Sequence, residues 1–461
     1  KMILQWNIRG FYKNLEDLKL LIGRYKPKII CLQETNFRDT DVPQLTGYQL
    51  FRRDFLLGNR ACGGVAIFVR NDVYCDKVTS ATDNIQMIRL TIYAPTKITI
   101  CNIYLPPAAN ITKNELLRLV RALSPPFIIL GDFNAHHIQW GSTHVSHRGR
   151  ILEEIQITEN IALINKQEFT HFNSSNGTLT AIDLAFCSPQ LFPVLDWKAH
   201  NDLCGSDHFP ILINHELYNI AEIVVPKWSI KRADWDKFAS LANFIEHGFS
   251  NIDEELDYIV KVLNDAADAS IPKTNAHLRN CPAPWWNERC RIAIKNRKKA
   301  LRRFHHQPSE LNLARYKILR SEARRIIKES RRESWREFIS TITRATPTSE
   351  VWRKVKTITG LRSNHQIPGL NKNDRVIIDD AEKAELLAET FAKVSRTDGY
   401  CRKFLTIKKQ EEQNNIDFLD TDHNHSYNVP LKLWELEASL SRSKDTSPGS
   451  DKVHYRFLKN L

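Results

Sequence analysis

An α/β domain followed by a mainly helical, basic second half is the fold this sequence predicts, and three observations predict it. Across residues 1–218 short apolar runs alternate with segments of helical periodicity. Several of the apolar runs end in a polar residue, namely Asn7, Glu34, Tyr104 and Asp132, and strand ends at one sheet edge are where α/β folds gather their chemistry. The formal charge of +13 is also unevenly spread: residues 281–340 hold 17 Lys/Arg against 6 Asp/Glu, a net of +11, so the remainder carries only +2.

The strand expectations, in order, are Ile3–Ile8, Ile29–Leu32, Val65–Val69, Ile85–Tyr93, Ile98–Tyr104, Phe127–Leu130 and Pro210–Asn214; helices are expected at Leu15–Arg24, Lys113–Leu123 and Arg148–Asn160. Residues 219–280 read as a helical connector anchored by Trp228 and Trp235. Residues 281–345 read as a basic amphipathic linker. Its apolar positions Leu319, Ala323, Ile326, Trp335, Phe338 and Ile342 recur at near-helical spacing, and Arg324, Arg325, Arg331, Arg332 and Arg336 lie opposite them. Pro347 ends that helix. Residues 346–461 read as a partly flexible segment; from Ile367 to Ser426 the sequence is polar and weakly patterned, with a short strand pair, a helix near Ala381–Lys393 and a flexible stretch.

Composition narrows the classes. At 461 residues the chain exceeds a single core. No apolar run reaches the roughly 18 residues of a membrane span, and Lys1 leads directly into a strand-like stretch with no signal peptide pattern. The lack of Met at position 1 suggests a fragment or a processed piece. Nine dispersed cysteines form no CxxC pair, and Cys281 and Cys290 have eight residues between them, which suits reduced thiols in cytosol or nucleus better than a zinc site. Charge as concentrated as that of residues 281–340 calls for a polyanion, although a solvated basic helix would carry the same residues.

Five motifs carry candidate chemistry: Gln5-Trp6-Asn7-Ile8-Arg9-Gly10; Leu32-Gln33-Glu34-Thr35; Asn102-Ile103-Tyr104-Leu105-Pro106-Pro107; Gly131-Asp132-Phe133-Asn134-Ala135; and Ser206-Asp207-His208, with Ala181-Ile182-Asp183 upstream. Phosphodiester hydrolysis needs a cation, a deprotonated water and in-line geometry, and these residue types suit each task. Taken singly, Glu34 also fits a helix cap, Asp132 and Asn134 an Asx-turn, and His208 a core histidine.

As an ordered set, the five motifs resemble those of the exonuclease–endonuclease–phosphatase family, over roughly the first 215 residues. The resemblance implies a two-sheet α/β sandwich of the DNase I-like type. It implies Glu34 as the main ligand of a Mg²⁺ ion, Mn²⁺ being the alternative, with Asn7 holding metal or phosphate and Asp207 assisting at the metal side. Asp132 would orient or deprotonate water, with Asn134 fixing that carboxylate. Tyr104 would donate to a phosphate oxygen, and His208, backed by Asp183, would contact the scissile phosphate. Some family members carry an Asp where this chain has Arg9, which points to one metal and leaves Arg9 for phosphate or solvent.

A narrower resemblance is to jockey-type non-LTR retrotransposon proteins. It rests on Ala135-His136-His137-Ile138-Gln139-Trp140-Gly141-Ser142, His147-Arg148-Gly149-Arg150, Pro284-Trp285-Trp286-Asn287, and Ser447-Pro448-Gly449-Ser450-Asp451 with Phe457-Leu458-Lys459. The adjacent histidines 136 and 137 would face apart in an extended chain, so they are assigned to structure or DNA contact. Asn176-Gly177 signals a two-residue hairpin, and in such nucleases a hairpin here contacts target DNA, which implicates Asn176, Thr178 and Thr180. The last segment resembles the start of reverse transcriptase fingers, with no Tyr-x-Asp-Asp motif present. The resulting expectation is a nuclear enzyme, passing through the cytoplasm before import, that nicks double-stranded target DNA. The nick leaves a 3′-hydroxyl primer, and Arg324, Arg325, Arg331 and Arg332 hold element RNA or target DNA. A repair-type apurinic endonuclease and an inactive nucleic-acid-binding remnant are the rival readings.

Overall fold

The computed structural model describes residues 3–58, 60–78, 85–93, 97–215, 226–244, 251–273, 285–344, 346–359, 367, 369–372, 375–377, 379–413, 430–446 and 448–461. Pro284, Ser447, the domain boundary near 219 and most of the stretch expected to be flexible fall outside them.

Two six-stranded mixed sheets form the N-terminal part. The strands of the first are β1 Ile3–Asn7, β2 Ile29–Gln33, β3 Tyr48–Arg53, β6 Val65–Arg70, β15 Leu195–Ala199 and β16 Ile211–His215, in the order β15-β16-β1-β2-β6-β3; the small pair β4 Leu56–Leu57 and β5 Arg60–Ala61 stands apart. The second sheet has β7 Tyr74–Val78, β8 Gln86–Tyr93, β9 Lys97–Tyr104, β10 Phe127–Asp132, β11 Ala162–Leu163 and β14 Asp183–Cys187, in the order β11-β14-β10-β9-β8-β7; β12 His171–Phe172 and β13 Leu179–Thr180 form a separate hairpin.

The sheets pack face to face. Ile3, Ile29, Cys31, Val65 and Ile67 of the first meet Ile88, Leu90, Ile100, Ile128 and Leu130 of the second. Alternate residues point outward, where Leu4, Ile30 and Leu32 pack under α1 (Phe11–Tyr25). On the far side, Cys101, Ile103 and Ile129 pack under α2 (Lys113–Arg121) and α3 (His147–Thr158). Central strands covered on both faces read as unbroken apolar runs, which is why the sequence shows them. Gly131 is required within β10, because a Cβ there would lie 1.8 Å from the Ile103 carbonyl oxygen of the parallel neighbour β9.

Registers decide the site. β1 runs parallel to β2, and β9 parallel to β10. Asp132 lies opposite both Tyr104 and Asp183. The C-terminal ends of both parallel pairs therefore deliver Asn7, Glu34, Tyr104 and Asp132 to one edge of the sandwich.

The helical half departs from the expected division. Lys1–Asn219 and Asn280–Ala392 form one compact unit, and Ile220–Arg279 with Lys393–Leu461 form the other. The basic segment is thus not a separate linker: its α6 (Glu288–His306) and α7 (Glu310–Ser340) form a helical hairpin on the nuclease-like sandwich. Ala300, Leu301, Phe304, Leu313 and Tyr316 share a core with Phe172, Leu203 and Phe209. α7 ends at Ser340, short of Pro347, and its buried face runs through Tyr316, Ala323 and Ile327 while Trp335 is partly exposed. The remainder of this unit carries α8 (Thr348–Thr359), the strand pair β17 Leu370–Lys372 and β18 Arg375–Ile377, and α9 (Asp380–Val394).

In the second unit, α4 (Trp235–Leu241) and α5 (Ile252–Ser270) enclose Phe238, Leu263, Ala266 and Phe457 of α12 (Tyr455–Leu458), with Trp228 and Trp235 against them; α10 (Arg402–Gln413) and α11 (Leu433–Arg442) complete it. The C-terminal residues that resemble polymerase fingers thus fold onto the connector. Among the described residues no helix is long and apolar enough to cross a membrane, and eight cysteines are free thiols.

Candidate active site

Asn7, at the end of β1, joins the two sheets chemically. Its side-chain NH₂ donates to Glu34 Oε1 at 3.0 Å and to Asp132 Oδ2 at 2.8 Å. Glu34 sits just past β2 with φ of 48°, a left-handed conformation costly for a non-glycine residue. Flanking backbone bonds hold it there: Gly10 N–H donates to the Glu34 carbonyl at 2.8 Å, and Asn36 N–H to Gly63 O at 2.8 Å. Tyr104 O–H donates to Glu34 Oε1 at 3.0 Å. Burial and the Glu34 and Asp132 charges push that phenol well above its ordinary value, so it stays a donor.

Asp132 is buried. Its Oδ1 accepts from the Asn134 backbone N–H at 3.0 Å. The Asn134 side chain instead donates to Leu105 O at 3.0 Å, so it is this residue's main chain that fixes the carboxylate. Burial, joined by the Asp183 charge and opposed by His208, raises the Asp132 pKa to about 7.

His208 Nδ1–H donates to Asp183 Oδ2 at 2.8 Å, and its Nε2 lies 3.9 Å from Asp132 Oδ2. Burial alone would depress the imidazole, but Asp183, Asp132 and Glu34 outweigh it and carry the pKa up to about 9. The ring is therefore a cation at neutral pH, with its second N–H aimed toward Asp132. Asp183 in turn is placed by Thr170, whose Oγ1 accepts from the Ile182 and Asp183 backbone N–H groups at 3.0 Å each.

Ligand atoms of Asp132, Asp183 and His208 lie within 4.8 Å of one another. Asp183 Oδ1 is buried without a hydrogen-bond partner. Carboxylate crowding with an orphaned oxygen suits a hard divalent cation.

Other expected residues lie elsewhere. Asp207 is ion-paired with Arg9, an exposed arginine whose own backbone is left-handed at φ 49°. The β12–β13 turn is not the expected two-residue type, since Asn173 N–H donates to Thr178 O at 2.9 Å around a longer loop. Asn176 Oδ1 accepts from Thr178 within that loop, at 3.0 Å from N and 2.8 Å from Oγ1. Thr180 Oγ1 lies 3.2 Å from His171 Nδ1. Of the helix arginines, Arg324 donates to the Gly205 carbonyl, Arg325 pairs with Glu329 at 2.8 Å, Arg331 pairs with Glu16 at 3.0 Å, and Arg332 is exposed. His136 stacks on His144 at 4.4 Å, and His137 lies 3.2 Å from Glu153.

Several residues around the site have roles that the sequence motifs did not assign. Arg148 donates to Phe133 O at 3.0 Å, Pro106 O at 3.1 Å and Ala109 O at 2.8 Å, tying the loops that follow β9 and β10. His171 stacks 4.6 Å from His208, and burial together with the His208 and Arg9 charges lowers its pKa to about 3. Polar residues inside apolar strands were the one readable clue to the wider network: Gln33 Nε2 donates to Asn102 Oδ1 at 2.6 Å between the sheets.

Comparison with known proteins agrees with this geometry. Residues 98–212 match the family model described as "Endonuclease-reverse transcriptase". The chain is 28% identical over 211 residues to the RNA-directed DNA polymerase from mobile element jockey of Drosophila melanogaster, covering 45% of this chain and 23% of that protein. It is 22% identical over 473 residues to a probable RNA-directed DNA polymerase from transposon BS of the same organism, covering 100% of this chain and 51% of that protein. The chain thus spans about half or less of the length of these curated relatives. Among solved structures it resembles the endonuclease domain of TRAS1, a telomere-specific non-LTR retrotransposon, at 22% identity and a TM-score of 0.40, covering 47% of this chain and 98% of that one. With residues 98–212 matching that endonuclease–reverse transcriptase model, the chain is similar to part of the jockey mobile-element protein.

Proposed function

We propose that this chain is a metal-dependent endonuclease that nicks one strand of double-stranded DNA and leaves a 3′-hydroxyl, the primer for reverse transcription of an element RNA. One observation carries the reading. Asn7 bridges Glu34 and Asp132, while Asp132, Asp183 and His208 gather within 4.8 Å, although these residues come from five separate stretches of sequence.

Each group has a task that its surroundings suit. A Mg²⁺ ion, or Mn²⁺, held by Glu34 beside Asn7 would neutralise phosphate oxygens and the leaving group. Asp132, with a pKa near 7, is poised to take a proton from the attacking water. His208 presents a charged N–H to the scissile phosphate, stabilising negative charge as it develops, and Asp183 holds that ring in place. Tyr104 supplies a neutral O–H that can turn from Glu34 to a phosphate oxygen. Exposed basic side chains of α6 and α7, Arg332 among them, supply a non-specific contact to nucleic acid, target DNA or element RNA. The site of action would be the nucleus.

The test is nicking of supercoiled plasmid by the full chain, with and without Mg²⁺. Glu34→Ala and His208→Ala should each abolish it while the folded state persists. Nicking by either variant at the parent rate would overturn the assignment. Intact duplex should be cut as readily as abasic DNA; a strong abasic preference would favour a repair-type enzyme.

A further inference from the structure

The segment Leu203–Phe209 carries Asp207 and His208 outside any strand, with Cys204 and Gly205 at φ 49° and 93°. A loop of that shape holds its position only if its carbonyls find donors. Trp6 Nε1 donates to His208 O at 2.9 Å, and Phe172 N–H to Asp207 O at 2.7 Å. Two further carbonyls are taken by α7: Arg320 donates to Gly205 O at 3.0 Å and Ser206 O at 2.6 Å, and Arg324 also donates to Gly205 O. Three residues upstream of Gly205, Asp202 accepts from the buried Arg297 of α6 at 2.7 Å. The β12–β13 hairpin is gripped by the same helices. Phe304 and Tyr316 meet the Phe172 ring edge-on at 5.7 and 5.6 Å, and a Cβ on Gly177 would come within 2.5 Å of Phe304.

We propose that the α6–α7 hairpin is a brace for the active site, and that Arg320 and Arg324 are positioning residues which hold the Asp207–His208 loop in its working place. The proposal rests on the endonuclease reading for its kinetic consequences. Guanidinium groups suit the task because each offers several N–H donors in a fixed plane, so one arginine can satisfy two successive carbonyls. Their charge is largely spent on the loop, which distinguishes them from a phosphate-binding face. The β12–β13 hairpin, in turn, gains its placement from α6 rather than from the sandwich alone.

The experiment compares the full chain with the double variant Arg320→Ala/Arg324→Ala, the conservative double variant with Lys at both positions, and Arg121→Ala as a remote exposed control. Nicking kinetics should show kcat reduced about 10- to 100-fold in the alanine variant, the scale of a small misplacement of catalytic groups. KM for DNA should stay within about threefold of the parent, and lysine should recover part of kcat. Amide hydrogen exchange should quicken across 203–209 in the alanine variant while the central strands keep their protection. Unchanged kcat with unchanged exchange, or a loss confined to KM, would overturn the brace; the latter would make the arginines DNA contacts. A parent chain as inactive as Glu34→Ala would end the nuclease reading instead, and exchange across 203–209 would still decide whether the helices hold the loop.

Discussion

Two places in this molecule bury charge, and they do so in opposite ways. At the strand ends, carboxylates of Glu34, Asp132 and Asp183 crowd around one imidazole. Burial, helped by the Asp183 charge, pushes the Asp132 carboxyl above its ordinary value, and one carboxylate oxygen of Asp183 is left without a partner. At the helix seam, Arg297 lies between Asp202 at 2.7 Å and Asp17 at 3.5 Å, and the neighbouring arginines end on carbonyls. Opposite charges there meet one another. The first arrangement is incomplete without a cation and a substrate. The second pairs its opposite charges within the folded chain, and removing one member should cost stability more than it costs chemistry.

That contrast can be broken, the largest effect first. His208→Ala should lower the nicking rate by about 10²–10⁴-fold, the range for a general acid or electrostatic stabiliser. Its thermal midpoint should change little, as scanning calorimetry beside plasmid nicking would show. Arg297→Ala should act the other way, destabilising the folded unit by about 3–5 kcal/mol because Asp202 is left charged and buried, with Lys298 at 3.8 Å beside it. Urea titration measures it, and an unchanged midpoint would remove the distinction between the two places.

A third prediction concerns pH. Asp17 is buried, and that burial, opposed by Arg297 and helped by Asp202, lifts its pKa from 3.8 to about 6. A carboxyl that holds its proton more tightly folded than unfolded adds stability fully below pH 3.8 and loses it as pH climbs through 6. Stability of the parent should therefore fall by about 1–3 kcal/mol between pH 4 and 6 relative to Asp17→Asn. Parallel pH–stability curves for the two proteins would contradict the placement. The smallest effect belongs to Arg332, which is exposed. Arg332→Ala should weaken DNA binding evenly across sequences and reduce the salt slope by about one unit, read by fluorescence anisotropy across a salt series.

Much of the sandwich was legible. β1, β2, β6, β9 and β10 lie between covered faces, so apolar residues dominate them and the runs stand out. β3 and β7 did not, because they are the edges of their sheets and Tyr48–Arg53 is half-buried and exposed by turns. The five motifs were readable too, since polar residues closing apolar strands are conspicuous. Asp207 shows a limit: its neighbour His208 donates to Asp183 while Asp207 pairs with Arg9, a pairing that nothing in the local sequence announces. The basic helices misled. Residues 291–300 hold five Lys/Arg, and nothing local marks Arg297 as the buried one, because its partner Asp202 lies 95 residues earlier.

Residue order alone therefore determined the alternation of strands and helices, the carboxylates and imidazole at the strand ends, and the excess of positive charge. Periodicity and composition act over a few residues, and these features are local. Tertiary structure decided which arginines are spent inside the fold and which face solvent. It also decided that α6 and α7 join the sandwich instead of trailing from it, and that the β12–β13 turn rests on Phe304. Those outcomes depend on which distant surfaces meet, and a buried charge is recognisable only once its partner is beside it.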